Sequence, residues 1–408
     1  MNKIIYLAAH VVTFLCGLLI TVSLPYLLSS SEYNSIYLMV SLINVLIPIG
    51  TFGLTPFIIR YFKKAADLDL NLLSISTLLL ILGSVFVCII ILVISVFEFY
   101  NFKKSTFLMI WVSVLFSAVA VVLSAFYRAS NNAKFYFIIV AGSKVFFVPL
   151  VIFSIYLFSG QYLNLYLVSS VISVVFLFPY LIQLRTYKKL FSSHNLFKLD
   201  GLFDAVKFCV PVLLANILVM GIPLFERSYL VSNTDELLLA QYIFNYELSL
   251  KITGLILLVM KILVWPYITD KNESQEKKRY VNVGRLLLPS LCVMVFIVIL
   301  SEPLYNFITV SINHEFSNHN IFTLCTLYSA FLVLNYYINL SFLLTANSSY
   351  MTKGSFLTLL FHVFLIDLFF NEFGVYGVLV SASTSILLSM LIVFILNYRN
   401  FCRFGRGE

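Results

Sequence analysis

Charged side chains are scarce in this chain. Only 11% of its 408 residues are Asp, Glu, Lys or Arg, against about 25% in an average water-soluble domain. Hydrophobic residues make up 61% of the sequence, and the mean hydropathy is +1.00. These values exclude an ordinary soluble domain and indicate a chain that lies mostly in lipid.

The signatures of several chemistries are also missing. The six cysteines form no Cys-x-x-Cys pair and show no metal-like spacing with histidine, so neither a disulfide framework nor a metal centre is expected. No GxxxxGK[ST] phosphate loop is present, so the chain is expected to have no ATPase of its own. The loops of the predicted outer side are short, which disfavours a membrane polymerase, ligase or acyltransferase. We predict a protein without cofactors that is not an enzyme.

Long apolar runs recur along the whole chain. A bilayer core of about 30 Å takes around 20 apolar residues per helix, and backbone amides in lipid must pair within the helix. The sequence therefore predicts an all-α integral membrane protein of about twelve transmembrane helices. The predicted spans are residues 4–28, 36–59, 72–97, 105–127, 135–158, 162–184, 208–230, 239–265, 285–308, 321–345, 355–370 and 375–397.

Basic residues concentrate in alternate loops and at both ends, which explains the net charge of +8 without a nucleic-acid partner. By the positive-inside rule these segments are cytoplasmic. We predict a multi-pass protein of the bacterial inner membrane with both termini in the cytoplasm. The basic residues on this side are Lys3, Arg60, Lys63, Lys64, Arg128, Lys134, Arg185, Lys188, Lys189, Lys198, Lys207, Lys271, Lys277, Lys278, Arg279, Arg285, Lys353, Arg399, Arg403 and Arg406, against Lys103 and Lys104 on the other.

The longest linker between spans lies in the middle of the chain and divides the spans six and six. Repeats with an even number of spans run parallel, so we predict two lobes related by a pseudo-two-fold axis along the membrane normal, with a cleft between them. The predicted parts are an N-terminal lobe (1–184), a cytoplasmic linker (185–207), a C-terminal lobe (208–397) and a basic tail (398–408).

Three segments resemble one transporter family. They are SLPYLLSSSEYNSIYLMVSLINVLIPIGTFGLTPFIIRYF (23–62), SAFYRASNNAKFY (124–136) and FDAVKFCVPVLLANI (203–217). Their order and pattern are similar to those of the Wzx-type polysaccharide repeat-unit flippases, members of the multidrug/oligosaccharidyl-lipid/polysaccharide (MOP) exporter superfamily. Asn34 departs from the pattern, because members often carry Gly at this position.

The resemblance implies a function in O-antigen or lipopolysaccharide assembly. The expected activity is translocation of an undecaprenyl-diphosphate-linked oligosaccharide from the cytoplasmic to the periplasmic leaflet, by alternating access coupled to H⁺ or Na⁺. Membrane lipid and other polysaccharide-assembly proteins are the implied partners. A cation-coupled multidrug exporter of the same superfamily is the alternative, and a membrane sugar polymerase or ligase is a third.

Ionisable residues inside the spans are the candidates for the site, because a charge at mid-bilayer costs roughly 2.5–3.5 kcal/mol on insertion scales. Lys144, Arg227 and Lys251 would offset the charge of a diphosphate in the cavity. Glu226, Glu247 and Asp367 are candidates for binding the coupling ion. Three further residues are weaker candidates: His10, His362 and Lys261.

Each candidate also has a purely structural interpretation. Glu247 and Lys251 are four residues apart and would form a local ion pair on one helix face. Glu226 and Arg227 would snorkel to the outer surface, and Lys261 to the cytoplasmic one. The two histidines would be hydrogen-bonded core residues, and Asp367 would pair near the interface. Lys144 has the fewest such explanations.

Overall fold

The computed structural model describes residues 2–61, 70–96, 104–157, 162–175, 202–269, 314–344 and 348–406, with a few residues between 295 and 309. The elements of the first half are α1 (Asn2–Leu27), α2 (Ser30–Thr51), α3 (Leu54–Tyr61), α4 (Leu70–Val96), α5 (Lys104–Ala129), α6 (Ala133–Phe137), a π-helical turn (Ile138–Gly142), α7 (Ser143–Leu157) and α8 (Tyr162–Val175). Those of the second half are α9 (Leu202–Asn233), α10 (Glu236–Thr269), a 3₁₀ turn (His314–Phe316), α11 (His319–Leu344), α12 (Ser348–Phe373) and α13 (Val375–Arg406).

The prediction of an all-α membrane protein is confirmed. Every regular element in the described ranges is helical, and 8 helical stretches are long and apolar enough to cross a membrane. Helices lie at the predicted positions of the spans wherever the structure describes them. Residues 176–184 of the sixth span and most of the span at 285–308 fall outside the described residues. Apolar runs of this length predict helices well, because lipid offers backbone amides no other partner.

The second predicted span is broken rather than continuous. Phe52 and Gly53 separate α2 from α3 and both adopt left-handed backbone, with φ of 51° and 66°. A Cβ on Gly53 would lie 2.6 Å from the carbonyl oxygen of Cys209 on α9. Glycine is therefore required twice over at this position, for its backbone conformation and for the close approach of α9.

The side chain of Glu32 caps the start of α2. Ser29 precedes the helix, and both its backbone N–H and its hydroxyl donate to the carboxylate of Glu32, over 2.9 and 2.8 Å. The Glu32 carboxylate thereby satisfies the Ser29 N–H, which is the acidic half of a capping box. Asn34 lies inside α2, not in a turn, and its amide donates to the carbonyl of Glu236 over 2.7 Å.

The chain divides into two compact units. The first comprises Met1–Ile20 and Ser35–Ile217, and the second comprises Thr21–Asn34 and Leu218–Glu408. Helix α9 therefore contributes to both. The lobe boundaries predicted around the linker 185–207 stay a prediction, because most of that linker lies outside the described residues.

Small and hydroxyl-bearing residues hold helices together in the first unit. A Cβ on Gly83 of α4 would lie 2.5 Å from the carbonyl oxygens of Ile49 and Gly50 on α2, so these two backbones approach closely. Between α5 and α8, the hydroxyls of Ser113 and Ser170 are 2.8 Å apart. Close backbone approach and interhelical hydrogen bonds replace the hydrophobic effect, which supplies little attraction between helices in lipid.

Candidate functional site

A network of ionisable side chains lies inside the second unit and begins at two consecutive residues of α9, Glu226 and Arg227. Both side chains are buried. Successive residues of an α-helix point about 100° apart, so the two side chains meet different partners. All the contacts that follow lie within the second unit.

Arg227 is engaged with α10. Its Nη2 donates to Oε1 of Glu247 over 2.7 Å, and Nζ of Lys251 donates to Oε2 of the same carboxylate over 3.3 Å. The side chains of Arg227 and Glu247 are 2% and 10% exposed, whereas that of Lys251 is 34% exposed. The predicted local ion pair between Glu247 and Lys251 is thus present. Arg227 binds the same carboxylate and is buried, so its side chain does not snorkel to the surface.

Glu226 is held between α10 and α12. The hydroxyl of Tyr242 donates to Oε2 of Glu226 over 2.6 Å. Nε2 of His362 lies 3.3 Å from Oε1, and the side chains of Glu226 and His362 are both fully buried. On the other side of the imidazole ring, Nδ1 of His362 lies 3.0 Å from the hydroxyl oxygen of Ser381 on α13. Four helices therefore meet around one carboxylate.

Aromatic rings enclose these charges. Tyr242 and Tyr246 stack at a centroid distance of 5.8 Å, and Tyr246 lies 5.8 Å from Tyr328 of α11. The guanidinium carbon of Arg227 lies 5.4 Å from the centre of the Tyr246 ring, a cation–π distance. The three tyrosines are themselves fully buried, so they line the network with ring faces and phenol hydroxyl groups.

Asp367 lies apart from this network on an exposed stretch of α12. Its Oδ1 accepts a hydrogen bond from the hydroxyl of Tyr229 over 2.7 Å. Phe370 packs edge-on against the Tyr229 ring at 5.3 Å. The structure thus shows the local pairing that was the alternative for Asp367, and its role as an ion-coupling residue stays a prediction.

The remaining candidates lie in the first unit or outside the described side chains. The ring of His10, which is partly buried, is hydrogen-bonded to the hydroxyl of Tyr136 over 2.9 Å. Lys144 is exposed near the start of α7, with its Nζ 5.5 Å from the centre of the Phe147 ring. Lys261 belongs to α10, but its side chain lies outside the described part of the structure.

The network is balanced in charge. Arg227 and Lys251 supply two positive charges, and Glu226 and Glu247 supply two negative ones when both are ionised. Burying charges in this way is tolerated because each finds an opposite charge or a hydrogen bond. Lys251 is the most exposed of these four side chains, at 34%.

Sequence reasoning missed Tyr246, Tyr328 and Ser381 and did not assign Tyr242 to the site. The spacing of Tyr242 and Tyr246 was a usable signal, because residues four apart share a helix face. Ser381 and Ser385 are also four residues apart on one helix face, and both are fully buried. Nothing in the sequence shows which charged residue such a stripe would face.

The fold is shared with solved transporters, although no protein-family model and no curated protein matches the sequence. The MATE multidrug transporter DinF-BH has a TM-score of 0.73 at 12% identity, over 97% of this chain and 94% of that one. An outward-facing MATE transporter of the MOP superfamily has a TM-score of 0.67 at 13% identity, over 99% and 95%. The lipid II flippase MurJ has a TM-score of 0.66 at 12% identity, over 99% and 89%. The chain shares the fold of these transporters.

The apolar helices make this a multi-pass membrane protein, and its fold is that of the MATE and MurJ transporters. The narrower Wzx resemblance has no counterpart among these matches. Identities of 12–13% show a shared fold alone, since one fold supports many functions.

Proposed function

We propose that this chain is a flippase for an undecaprenyl-diphosphate-linked oligosaccharide such as an O-antigen repeat unit. It moves the substrate from the cytoplasmic to the periplasmic leaflet of the bacterial inner membrane, by alternating access coupled to H⁺ or Na⁺. The supporting observation is the buried, charge-balanced network of the second unit, set within the MOP fold that a lipid II flippase also has. Intramembrane ionisable residues are expensive and mark transport pathways.

The chemistry of the substrate assigns roles to the cations. A diphosphate head group carries concentrated negative charge, which needs cationic partners when it leaves water. We assign this role to Lys144, which is exposed, and to Lys251, which is partly exposed, because neither side chain is buried. Arg227 joins this set only if Glu247 releases it, because its side chain is enclosed in the present conformation.

Genetics tests the substrate class. Deletion of the gene is expected to abolish surface O-antigen or capsule, and re-expression is expected to restore it. Surface polysaccharide that persists unchanged in the deletion strain would refute the proposal. In reconstituted vesicles, flipping of the lipid-linked oligosaccharide measured by accessibility of its sugar is expected to depend on an imposed H⁺ or Na⁺ gradient.

Single substitutions test the cationic residues. Lys144→Ala and Lys251→Ala are expected to impair flipping while the protein inserts in normal amounts, because each removes a charge that the diphosphate requires. Lys134→Ala, at an exposed lysine of the first unit, is the matched control for loss of one positive charge. Wild-type flipping by both test variants would mean that these side chains only pack.

A second candidate function is cation-coupled export of small amphipathic molecules. It is favoured by the match to DinF-BH, a multidrug transporter. In that case the deletion strain would become sensitive to drugs and keep normal surface polysaccharide.

A further inference from the structure

A carboxylate lies among apolar side chains on the exposed face of α12. Asp367 is exposed and comes three residues after Phe364 and seven after Leu360, so the three share one side of the helix. Phe364 and Leu360 are 71% and 37% exposed, whereas His362 and Ile366 on the opposite side are buried. An exposed apolar face on a membrane span is turned toward acyl chains. Asp367 is therefore presented to lipid.

The position of Asp367 along α12 keeps its carboxylate below the membrane surface. The apolar stretch of the helix ends at Phe373, six residues or about 9 Å further along the axis. Side chains of an α-helix lean toward its N-terminal end, which here is the direction away from that surface. The short aspartate side chain therefore cannot snorkel outward as a lysine does. A carboxylate in such a position requires a partner, because a charge within a span is expensive.

The chain supplies this carboxylate with a neutral partner. The hydroxyl of Tyr229 on α9 donates to Oδ1 of Asp367 over 2.7 Å. Among the described residues, Asp367 makes no other hydrogen bond and takes part in none of the ion pairs. A phenol hydroxyl fixes the orientation of a carboxylate but brings no positive charge. The second oxygen, Oδ2, is thus available to a cationic donor from outside the described chain.

Aromatic rings border the same place. Phe370, three residues after Asp367, meets the Tyr229 ring edge-on at a centroid distance of 5.3 Å. Phe225 lies on the same helix as Tyr229, with its ring centre 6.4 Å away. Aromatic faces attract ammonium groups electrostatically, and a carboxylate oxygen accepts their N–H donors in a charge-assisted bond. The combination fits an organic ammonium ion.

We propose that Asp367, Tyr229 and Phe370 form a binding site for the primary ammonium headgroup of a membrane phospholipid, of the ethanolamine type. The ligand is a lipid because the carboxylate opens on the face of α12 that is turned toward acyl chains. A primary ammonium carries three N–H donors, one of which reaches Oδ2, whereas a trimethylated ammonium has none. The bound headgroup supplies the positive charge that Tyr229 does not.

An inorganic cation fits this place less well. Hard cations such as Na⁺ prefer several oxygen ligands. The described residues offer one available carboxylate oxygen, beside a phenol that already donates its hydrogen and a phenylalanine ring. An ammonium group needs only one acceptor and gains from the rings.

Native mass spectrometry of the purified full-length protein tests the proposal, with dioleoyl phosphatidylethanolamine and dioleoyl phosphatidylcholine as the two lipid probes. The wild type is expected to bind the ethanolamine lipid about tenfold more tightly, because trimethylation removes the charge-assisted hydrogen bond. Asp367→Asn should abolish this preference, so that both lipids bind alike. Tyr229→Phe leaves the carboxylate unoriented and should reduce the preference to about threefold. Asp367→Glu keeps the charge and is expected to retain most of it.

Glu372→Gln is the matched control. Glu372 is an exposed carboxylate of the same helix, but it lies about 140° around the axis from Asp367. The variant removes one negative charge near the same end of α12 and should keep the tenfold preference. A loss as complete as that of Asp367→Asn would mean that general surface charge selects the lipid, and it would overturn the proposal. A wild-type protein without any headgroup preference would do the same.

Two competition experiments test the nature of the ligand. Free ethanolamine is expected not to displace the bound lipid, and displacement at equal concentration would show a site for a water-soluble amine. Replacement of K⁺ by Na⁺ at the same ionic strength is expected to leave the lipid bound. Loss of lipid in Na⁺ would show that Asp367 binds an inorganic cation and would refute the lipid site. These measurements need no transport substrate, so their outcome is independent of the proposed function.

Discussion

Removing the charge of Glu247 should destabilise the second unit far more than removing that of Lys251. Glu247→Gln keeps the shape of the side chain and an acceptor oxygen for Nη2 of Arg227, but it leaves the guanidinium group without its counter-charge. The Arg227 side chain is 2% exposed. Breaking a buried ion pair by removing one partner costs about 3–5 kcal/mol, and the retained acceptor places Glu247→Gln near the lower value.

Lys251→Met is the matched comparison. Lys251 is bonded to the same carboxylate, but 34% of its side chain is exposed and its bond is longer, at 3.3 Å. Solvent screening limits such a pair to about 1 kcal/mol or less. The two variants should therefore differ by at least about 2 kcal/mol in the free energy of unfolding.

The assay is reversible unfolding in mixed detergent micelles, followed by circular dichroism. The double variant Arg227→Met/Glu247→Gln removes both buried charges and should recover most of the stability lost in Glu247→Gln, because no uncompensated charge remains. Equal stability of Glu247→Gln and Lys251→Met would refute the reasoning. It would mean that water reaches Arg227 in solution and that the network is not dry.

Two other predictions concern packing in the first unit. Gly83→Ala should destabilise the protein by about 1–3 kcal/mol, because its Cβ would lie 2.5 Å from the carbonyl oxygen of Gly50. Gly221→Ala is the control in the same thermal-denaturation assay. A Cβ at Gly221 would meet no atom within 4 Å, so this variant should be neutral or stabilising. Tyr136→Phe removes the 2.9 Å hydrogen bond to His10 and should cost about 0.5–1.5 kcal/mol in the same assay. If Tyr136→Phe lost as much stability as Gly83→Ala, the hydroxyl of Tyr136 would have to do more than bond to His10.

The sequence predicted well the features that depend on neighbouring residues of one helix. Hydropathy located the helices, because lipid removes every alternative for the backbone. It also singled out Glu226, Arg227 and Glu247, because a charge in an apolar run is expensive wherever the helix lies. The Glu247–Lys251 pair followed from their spacing alone.

Long-range partners were beyond sequence reasoning. Tyr242 and His362 reach Glu226 from two other helices, and Ser381 of a third is bonded to His362. No pattern within one helix encodes that meeting. The break at Gly53 has the same origin, since it depends on the backbone of α9 lying against it. Such features arise from packing between distant segments, so a single sequence contains no periodic signal for them.

The burial of Arg227 decides which cationic residues can meet a diphosphate first. A guanidinium group that is buried and bound to Glu247 over 2.7 Å is not presented to a substrate, so Lys144 and Lys251 must make the first contacts under the proposed function. Transfer of Arg227 to the substrate would cost about 3–5 kcal/mol if Glu247 stayed behind unpaired. That cost opposes tight binding, and tight binding would slow release at the far leaflet. Under the proposed function, an Arg227 that stays paired with Glu247 therefore favours release of the substrate over tight binding.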